Sequence, residues 1–172
     1  MLFERTFAMP DAETFSVKPI GAFVQRYLKG AKVSVDPFAR DRDWATYTND
    51  INPATKAAAH MDAGAFCEHL LERGIRADLG IIDPPYSPRQ ISECYRILGR
   101  KAARDDTQNA RLYRRVRDRL DALISPGGIV LSFGWQSAGM GLKRGYETLE
   151  IMLVAHGGGH NDTICMAERK GF

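Results

Sequence analysis

The stretch from residue 78 to residue 86 reads Asp-Leu-Gly-Ile-Ile-Asp-Pro-Pro-Tyr, and its residue types suggest chemistry. The apolar run is typical of a buried strand, and it stops at Asp83. Pro84 and Pro85 lack an N–H group and fix φ at about −65°, so the residues before them are held in extended geometry. A carboxylate, bare carbonyl groups and the ring of Tyr86 then stand at the end of a strand, where open α/β sheets bind ligands. This set suits an amino group on a flat base, although Asp-Pro-Pro can also simply end a strand.

The elements that must position these residues alternate along the chain. Helical spacing of apolar residues, with proline and glycine near the ends, predicts helices over 19–28, 63–73, 90–98 and 107–123. Runs of β-forming residues predict strands over 32–35, 46–49, 77–82 and 129–133, with a turn at 125–128. Two more strands, over 147–155 and 163–167, flank a run of glycines and predict a hairpin. We therefore expect an α/β fold, a mostly parallel sheet flanked by helices, with a C-terminal antiparallel hairpin at its edge.

Composition narrows the class of protein. The 172 residues fit one domain, 1–172, and 44% of them are hydrophobic, which is ordinary for a globular chain. No apolar run approaches the about 18 residues of a membrane span, and the first residues lack the order of a secretion signal. Three scattered cysteines are expected to be reduced thiols in the cytoplasm. No Cys/His spacing indicates a zinc site, and the glycines between His156 and His160 argue against a metal site there.

Positive charge is concentrated in one part of the chain. Residues 100–119 include eight basic and three acidic residues, a local charge of +5, whereas the whole chain carries +3. Such a surface attracts phosphate groups, although a solvated helix face gives the same pattern. We expect Arg111, Arg114 and Arg115 to contact nucleic acid. Residues 87–119 are expected to form an insert that contacts this nucleic-acid target.

Two further segments are expected at the same sheet edge. Ser87 and Arg89 follow the Asp-Pro-Pro-Tyr segment closely and are predicted at the lip of a pocket for the flat base. Trp135 lies in a glycine-rich loop after the strand at 129–133. Its ring is expected to stack on a base, to wedge between bases, or to belong to the core.

The Asp83–Tyr86 segment resembles the signature of amino-group methyltransferases, above all the DNA adenine-N6 family. Phe15-Ser16-Val17-Lys18 resembles the N-terminal motif that wraps the cofactor, and residues 33–38 resemble the strand and loop that cradle S-adenosylmethionine. The likeness covers about residues 14–169 and is nearest to small phage and prophage enzymes, which share Asp-Pro-Pro-Tyr-Ser-Pro-Arg-Gln and a later Phe-Gly-Trp stretch. It implies a single-domain Rossmann-like methyltransferase that uses S-adenosylmethionine and acts on DNA.

The resemblance also assigns roles to residues. It implies that Asp83 and the Pro84 carbonyl accept the two N–H bonds of adenine N6, with Pro85 and Tyr86 completing the catalytic segment and Tyr86 stacking on the base. The target base must then be flipped out or single-stranded. Asn49-Asp50 would hold the ribose hydroxyls, and Asp62 the adenine amino group of the cofactor, although Asp50 could be a turn residue and Asp62 a helix N-cap. The implied cofactor-binding residues are Phe15, Ser16, Lys18, Asp36, Pro37, Phe38, Asn49, Asp50, Asp62, Ala63 and Asp83.

One loop departs from the family pattern. After Asp36-Pro37-Phe38 the family has glycines, whereas this chain continues Ala39-Arg40-Asp41-Arg42. We expect a different loop path, with Arg40 or Asp41 meeting the methionine end of the cofactor, unless the change has abolished activity.

The substrate is less sharply defined than the fold. A chain with the same fold could act on adenine in RNA or on cytosine N4, or could bind nucleic acid without catalysis. The expected setting is the cytoplasm of a bacterium or a phage-infected host, with DNA as partner and no membrane. A homodimer is one way for so small a chain to span the duplex.

Overall fold

The computed structural model describes residues 1–85, 96, 99 and 109–172. The predicted helix at 90–98, together with Tyr86, Ser87, Arg89 and most of the predicted insert, lies outside these residues. The described strands are β1 (Leu2–Phe7), β2 (Ser34–Asp36), β3 (Tyr47–Thr48), β4 (Ala77–Ile82), β5 (Ile124–Gly134), β6 (Tyr146–Ala155) and β7 (Thr163–Lys170). The described helices are α1 (Lys18–Leu28), α2 (Ala63–Glu72) and α3 (Asn109–Leu123), with short 3-10 helices at Thr14–Ser16 and Leu142–Arg144.

These strands form one mixed sheet in the order β1-β6-β7-β5-β4-β2-β3. β7 runs antiparallel to both of its neighbours, and the other pairs are parallel. The α/β class, the mostly parallel sheet and the terminal hairpin are thus confirmed. The hairpin does not form the edge of the sheet, because β1 pairs with β6 and covers it.

Each face of the sheet carries one apolar cluster. On one face, α1 packs Ile20, Phe23 and Val24 against β4, β5, β6 and β7. On the other face, α2 and α3 pack against the sheet through residues that include Leu70 and Leu120. β4 contributes to both clusters, which explains why its sequence is almost continuously apolar.

Local sequence signals account for the helix ends. Pro19 stands in the first turn of α1, where its missing N–H is not needed. The Asp62 side chain accepts a hydrogen bond from the Ala65 N–H and so caps α2. Gly74 follows α2 with φ of 71°, a conformation that favours glycine.

One prediction of local structure was wrong, and one strand was missed. Residues 125–128, predicted as a turn, lie within β5 as an irregular bulge between the pairs Ala77–Ile124 and Leu79–Ile129. The turn residues absorb extra length in a strand that continues on both sides. β1 was not predicted, because Leu2, Phe3 and Phe7 are all more than half exposed and show no buried face.

Cys67 and Cys165 are buried free thiols, and burial raises the pKa of Cys67 to about 12. Cys94 lies outside the described residues. Within the described part of the chain, none of the helices has the length and apolar character needed to cross a bilayer.

Candidate functional site

Two buried aspartates lie at the ends of adjacent strands. Asp36 is the last residue of β2, Asp83 directly follows β4, and these strands pair in parallel. Only 3% of the Asp36 side chain and 7% of the Asp83 side chain are exposed. The structure therefore brings together two of the predicted site residues at the carboxyl edge of the sheet.

Arg42 lies between these carboxylates. Its Nη2 is 3.8 Å from Oδ2 of Asp36 and 3.8 Å from Oδ2 of Asp83. Its guanidinium carbon is 4.1 Å from the ring centroid of Phe15, and Nη2 donates a hydrogen bond to the Phe38 carbonyl at 3.1 Å. Sequence reasoning missed Arg42, since only the path of its loop places it over the two strand ends.

Burial dominates the electrostatics of Asp36. It raises the pKa of Asp36 to about 7, and the Arg42 guanidinium and the Phe38 N–H oppose this rise. The nearby carboxylates of Asp83 and Asp50 add to the rise, because like charges disfavour ionisation. Proton uptake at Asp36 therefore falls near neutral pH.

The loop after Asp36-Pro37-Phe38 makes a left-handed turn at a residue that is not glycine. Arg40 has φ of 54°, at the position where the family pattern has its first glycine. Its side chain turns away from the two aspartates: it pairs with Glu13 at 2.7 Å and donates to the Ala12 carbonyl. Asp41 accepts a hydrogen bond from the Lys56 N–H. In this structure Arg42, rather than Arg40 or Asp41, faces the aspartate pair.

Asn49 and Asp50 differ in what they offer a ligand. The Asn49 side chain is buried and holds the loops together, because its amide group donates to the carbonyls of Pro37 and Met61 and accepts from the Met61 N–H. The Asp50 carboxylate accepts from the N–H groups of Arg40 and Asn52, which fixes its orientation. Asp50 is the better placed of the two to accept ribose hydroxyls, because a carboxylate has about four lone-pair sites.

The other predicted cofactor residues lie around this loop. Asp62 is confirmed as the N-cap of α2, with Ala63 as the first helical residue. Phe15 is buried and contacts the rings of Trp44 and Phe133. Pro37 is buried and Phe38 half-buried, whereas Ser16 and Lys18 are exposed.

The Asp-Pro-Pro segment is held by α3. The Tyr113 hydroxyl donates a hydrogen bond to the carbonyl of Pro85, and Pro84 is buried. Sequence reasoning missed Tyr113, although it shares helical spacing with the buried residues Val116, Leu120 and Leu123.

A cavity of about 250 Å³ lies beside the 3-10 helix at Thr14–Ser16. It is lined by residues that include Val17, Trp135, His156 and Asn161, and 45% of Trp135 is exposed. The His156 ring bridges the Ala8 carbonyl and the Thr163 hydroxyl, which ties the β6–β7 hairpin to the N-terminal segment. The predicted polar hairpin thus forms one wall of a cavity.

The basic face of α3 is partly paired with α2. Nη2 of Arg115 lies 3.9 Å from Oδ1 of Asp62, and Nη2 of Arg119 lies 2.5 Å from Oε1 of Glu68. Arg114 is exposed, and Arg111 belongs to the first turns of the same helix. Part of the positive charge therefore has a partner within the molecule.

Solved methyltransferases share this fold. The chain superposes on TrmN from Thermus thermophilus with a TM-score of 0.53 and 17% identity, over 85% of this chain and 47% of that one. NSun6 from Pyrococcus horikoshii with SFG gives 0.55 and 14%, over 84% and 50%. The N-methyltransferase NodS from Bradyrhizobium japonicum WM9, in complex with S-adenosyl-L-homocysteine, gives 0.55 and 10%, over 93% and 89%.

The chain spans about half the length of TrmN and NSun6. No protein-family model matches it. No curated protein matches its sequence. The molecule has the Rossmann-like fold of these methyltransferases. Since one fold hosts many reactions, the site residues must define the reaction.

Proposed function

We propose that this chain transfers a methyl group from S-adenosylmethionine to an amino group of a nucleobase, with adenine N6 in DNA as the target. The observation that carries this proposal is the position of Asp83 and Pro84, which follow β4 at the carboxyl edge of the sheet beside Asp36. The lone pair of an aromatic amine is delocalised into its ring, so the amine is a poor nucleophile. Acceptors that take both of its N–H bonds favour a pyramidal nitrogen whose lone pair points at the methyl donor.

The residues at this edge fit S-adenosylmethionine. The oriented Asp50 carboxylate suits two ribose hydroxyls, and the Asp62 carboxylate suits an exocyclic amine. The Asp36 and Asp83 carboxylates and the face of the Phe15 ring already surround one cation, the Arg42 guanidinium. When bound, the cofactor supplies a methyl group on a positively charged sulfur.

The protein's own contribution is orientation. Asp83 and the Pro84 carbonyl position the amine, Tyr113 steadies the segment through Pro85, and Tyr86 is proposed to stack on the base. The cavity lined by Trp135 and Thr14 borders the 3-10 helix whose Phe15 ring contacts Arg42, and Trp135 offers an aromatic wall to a flipped base.

The nucleic-acid partner is part of the same proposal. Arg114 is exposed on α3 and suits a phosphate contact, and Ser87, Arg89 and Arg111 stay predictions for the same surface. We also propose a cytoplasmic setting, and a homodimer if one chain alone is too small to span the duplex.

The test is labelled-methyl transfer by the wild type, Asp83→Ala and the matched control Asp43→Ala, whose side chain is exposed in the loop near the site. We expect Asp83→Ala to lower turnover at least about 100-fold, the order seen when a positioned polar group is lost. Its affinity for S-adenosylmethionine should change far less, and Asp43→Ala should match the wild type. Unchanged turnover in Asp83→Ala would contradict the proposed role.

The same assay separates the candidate substrates. Duplex DNA, single-stranded DNA and RNA are offered in parallel, and the methylated nucleoside is identified after digestion. Preference for RNA, or methyl on cytosine N4, would keep the reaction and change the substrate. No heat of cofactor binding and no transfer would instead favour a nucleic-acid-binding module.

A further inference from the structure

We propose that Arg42 is a displaceable counter-ion: without ligand, its guanidinium holds the position between Asp36 and Asp83 that the positively charged end of the cofactor takes on binding. This inference rests on the proposed function and adds a resident competitor to the site. It concerns an arginine in the loop that departs from the family pattern.

The surroundings of Arg42 favour a positive charge, but the distances from its guanidinium to the two carboxylates are long. Both carboxylate distances are 3.8 Å, longer than the about 2.7–2.9 Å of a charge-assisted hydrogen bond. Its Nε atom is buried without a hydrogen-bond partner in the described part of the chain. A buried donor left unpaired is unfavourable, so the guanidinium is held by its charge, the Phe38 carbonyl and the Phe15 ring, and not by well-formed hydrogen bonds to the two carboxylates.

A second partner for the displaced side chain lies nearby. Nη1 of Arg42 is 3.5 Å from Oε2 of Glu13, and 38% of the Glu13 side chain is exposed. Glu13 is also held by Arg40. A rotation of the Arg42 side chain toward Glu13 would move the guanidinium away from both aspartates without moving β2 or β4.

Displacement has a measurable cost for the ligand. A protein whose binding-competent arrangement is only fractionally populated shows weaker apparent affinity by that fraction. Removing the guanidinium should therefore strengthen binding of a ligand that brings its own positive charge. Adenosine, which lacks the charged end, should not be affected.

Calorimetry with S-adenosylmethionine and adenosine tests this on the wild type, Arg42→Gln and Arg26→Gln. We expect Arg42→Gln to bind S-adenosylmethionine about tenfold more tightly and adenosine unchanged. Arg26→Gln is the matched control, because it also removes a guanidinium from a buried carboxylate, that of Glu150, which lies on β6 and not in the aspartate pair. Weaker binding by Arg42→Gln would overturn the inference, since Arg42 would then be a ligand-binding group.

Thermal unfolding without cofactor gives an independent measurement. Arg42→Gln removes a cation that lies near two buried carboxylates, so its melting temperature should fall, and low-millimolar guanidinium chloride should restore part of it. Equal concentrations of sodium chloride should not. Arg42→Met, tested in parallel, places an unbranched apolar side chain at this position if the glutamine variant folds poorly.

The outcomes separate this inference from the proposed function. Wild-type binding of S-adenosylmethionine with no gain in Arg42→Gln overturns the displacement alone. Absence of guanidinium rescue overturns the cation position itself. Rescue without any cofactor binding by any variant overturns the proposed function, and the displacement with it.

Discussion

Buried charge is the central problem of this site at the residue scale. Asp36 and Asp83 are almost fully enclosed, and among the described residues the Arg42 guanidinium lies near both. Removing water from a carboxylate is costly unless a partner compensates for it. The cost shows in the raised pKa of Asp36, and it leads to a dependence of stability on pH.

The stability of the wild type should decrease as pH rises from the ordinary pKa of 3.8 toward about 7. In this window the folded protein keeps a proton on Asp36 that the unfolded chain has lost, so rising pH favours unfolding. The contribution of Asp36 is at most about 1.4 kcal/mol per pH unit. The free energy of unfolding, measured with urea and plotted against pH, should have different slopes for the wild type and Asp36→Asn across this window. Equal slopes would contradict the assignment. The charged groups that act on the Asp36 carboxyl group are those of Arg42, Asp83 and Asp50. They set the pH at which Asp36 is half protonated.

Tyr113→Phe should lower methyl transfer about tenfold with little change in cofactor affinity. The substitution keeps the ring in the core and removes only the hydroxyl that donates to the Pro85 carbonyl, so the acceptor segment loses its clamp. Steady-state kinetics and calorimetry measure the two effects.

Tyr27→Phe is the matched control, because it also removes one hydroxyl hydrogen bond, to Glu150. Both variants should lose about 1 kcal/mol of stability. If Tyr27→Phe lowers turnover equally, the effect of Tyr113 is general destabilisation and not positioning.

At the scale of elements, the 3-10 helix at Thr14–Ser16 links the core to the site. Its Phe15 ring packs on Phe133 of β5 and lies under Arg42. Gly21 of α1 allows the close approach, since a Cβ there would lie 2.5 Å from the Phe15 carbonyl oxygen. The close packing of α1 on the 3-10 helix thus fixes the position of the Phe15 ring in the site.

Gly21→Ala should destabilise the protein by about 1–3 kcal/mol and weaken cofactor binding, because the added methyl group pushes Phe15 from its place. Thermal unfolding and calorimetry measure both effects. Gly30→Ala is the control, since a Cβ there would lie 3.7 Å from the nearest atom. Wild-type behaviour of Gly21→Ala would show that the 3-10 helix can shift without consequence.

At the scale of the whole molecule, charge is distributed unevenly but is partly compensated. The pairs Arg115–Asp62 and Arg119–Glu68 bind α3 to α2. Exposed pairs of this kind contribute about 1 kcal/mol or less to stability, so they can open for a polyanion. Arg114 is the described α3 residue best suited to a first contact with phosphate.

Arg114→Glu should weaken DNA binding and reduce the slope of log affinity against log salt by about 1. Arg5→Glu, an exposed change on the edge strand β1, should leave the slope unchanged. Fluorescence anisotropy over a range of salt concentrations gives both slopes. An unmoved slope in Arg114→Glu would show that this helix face is only solvated.

The sequence by itself determined the fold class and most of the elements. The mostly apolar run at 77–82 predicted a buried strand, and Pro19 and Asp62 marked helix starts through their own backbone chemistry. The Asp-Pro-Pro segment was readable because proline restricts its neighbours whatever the tertiary context. Such signals depend on neighbouring residues in the chain, so a single sequence is enough to detect them.

Tertiary structure alone decided how distant residues meet. The pairing of β1 with β6 depends on hydrogen bonds between strands that are far apart in sequence, and the exposed residues of β1 gave no pattern. The position of Arg42 depends on the left-handed turn at Arg40 and on Glu13, which belong to different segments. The Tyr113 clamp likewise needs α3 to pack beside β4. Contacts of this kind arise from the path of the backbone in space, which residue spacing does not encode.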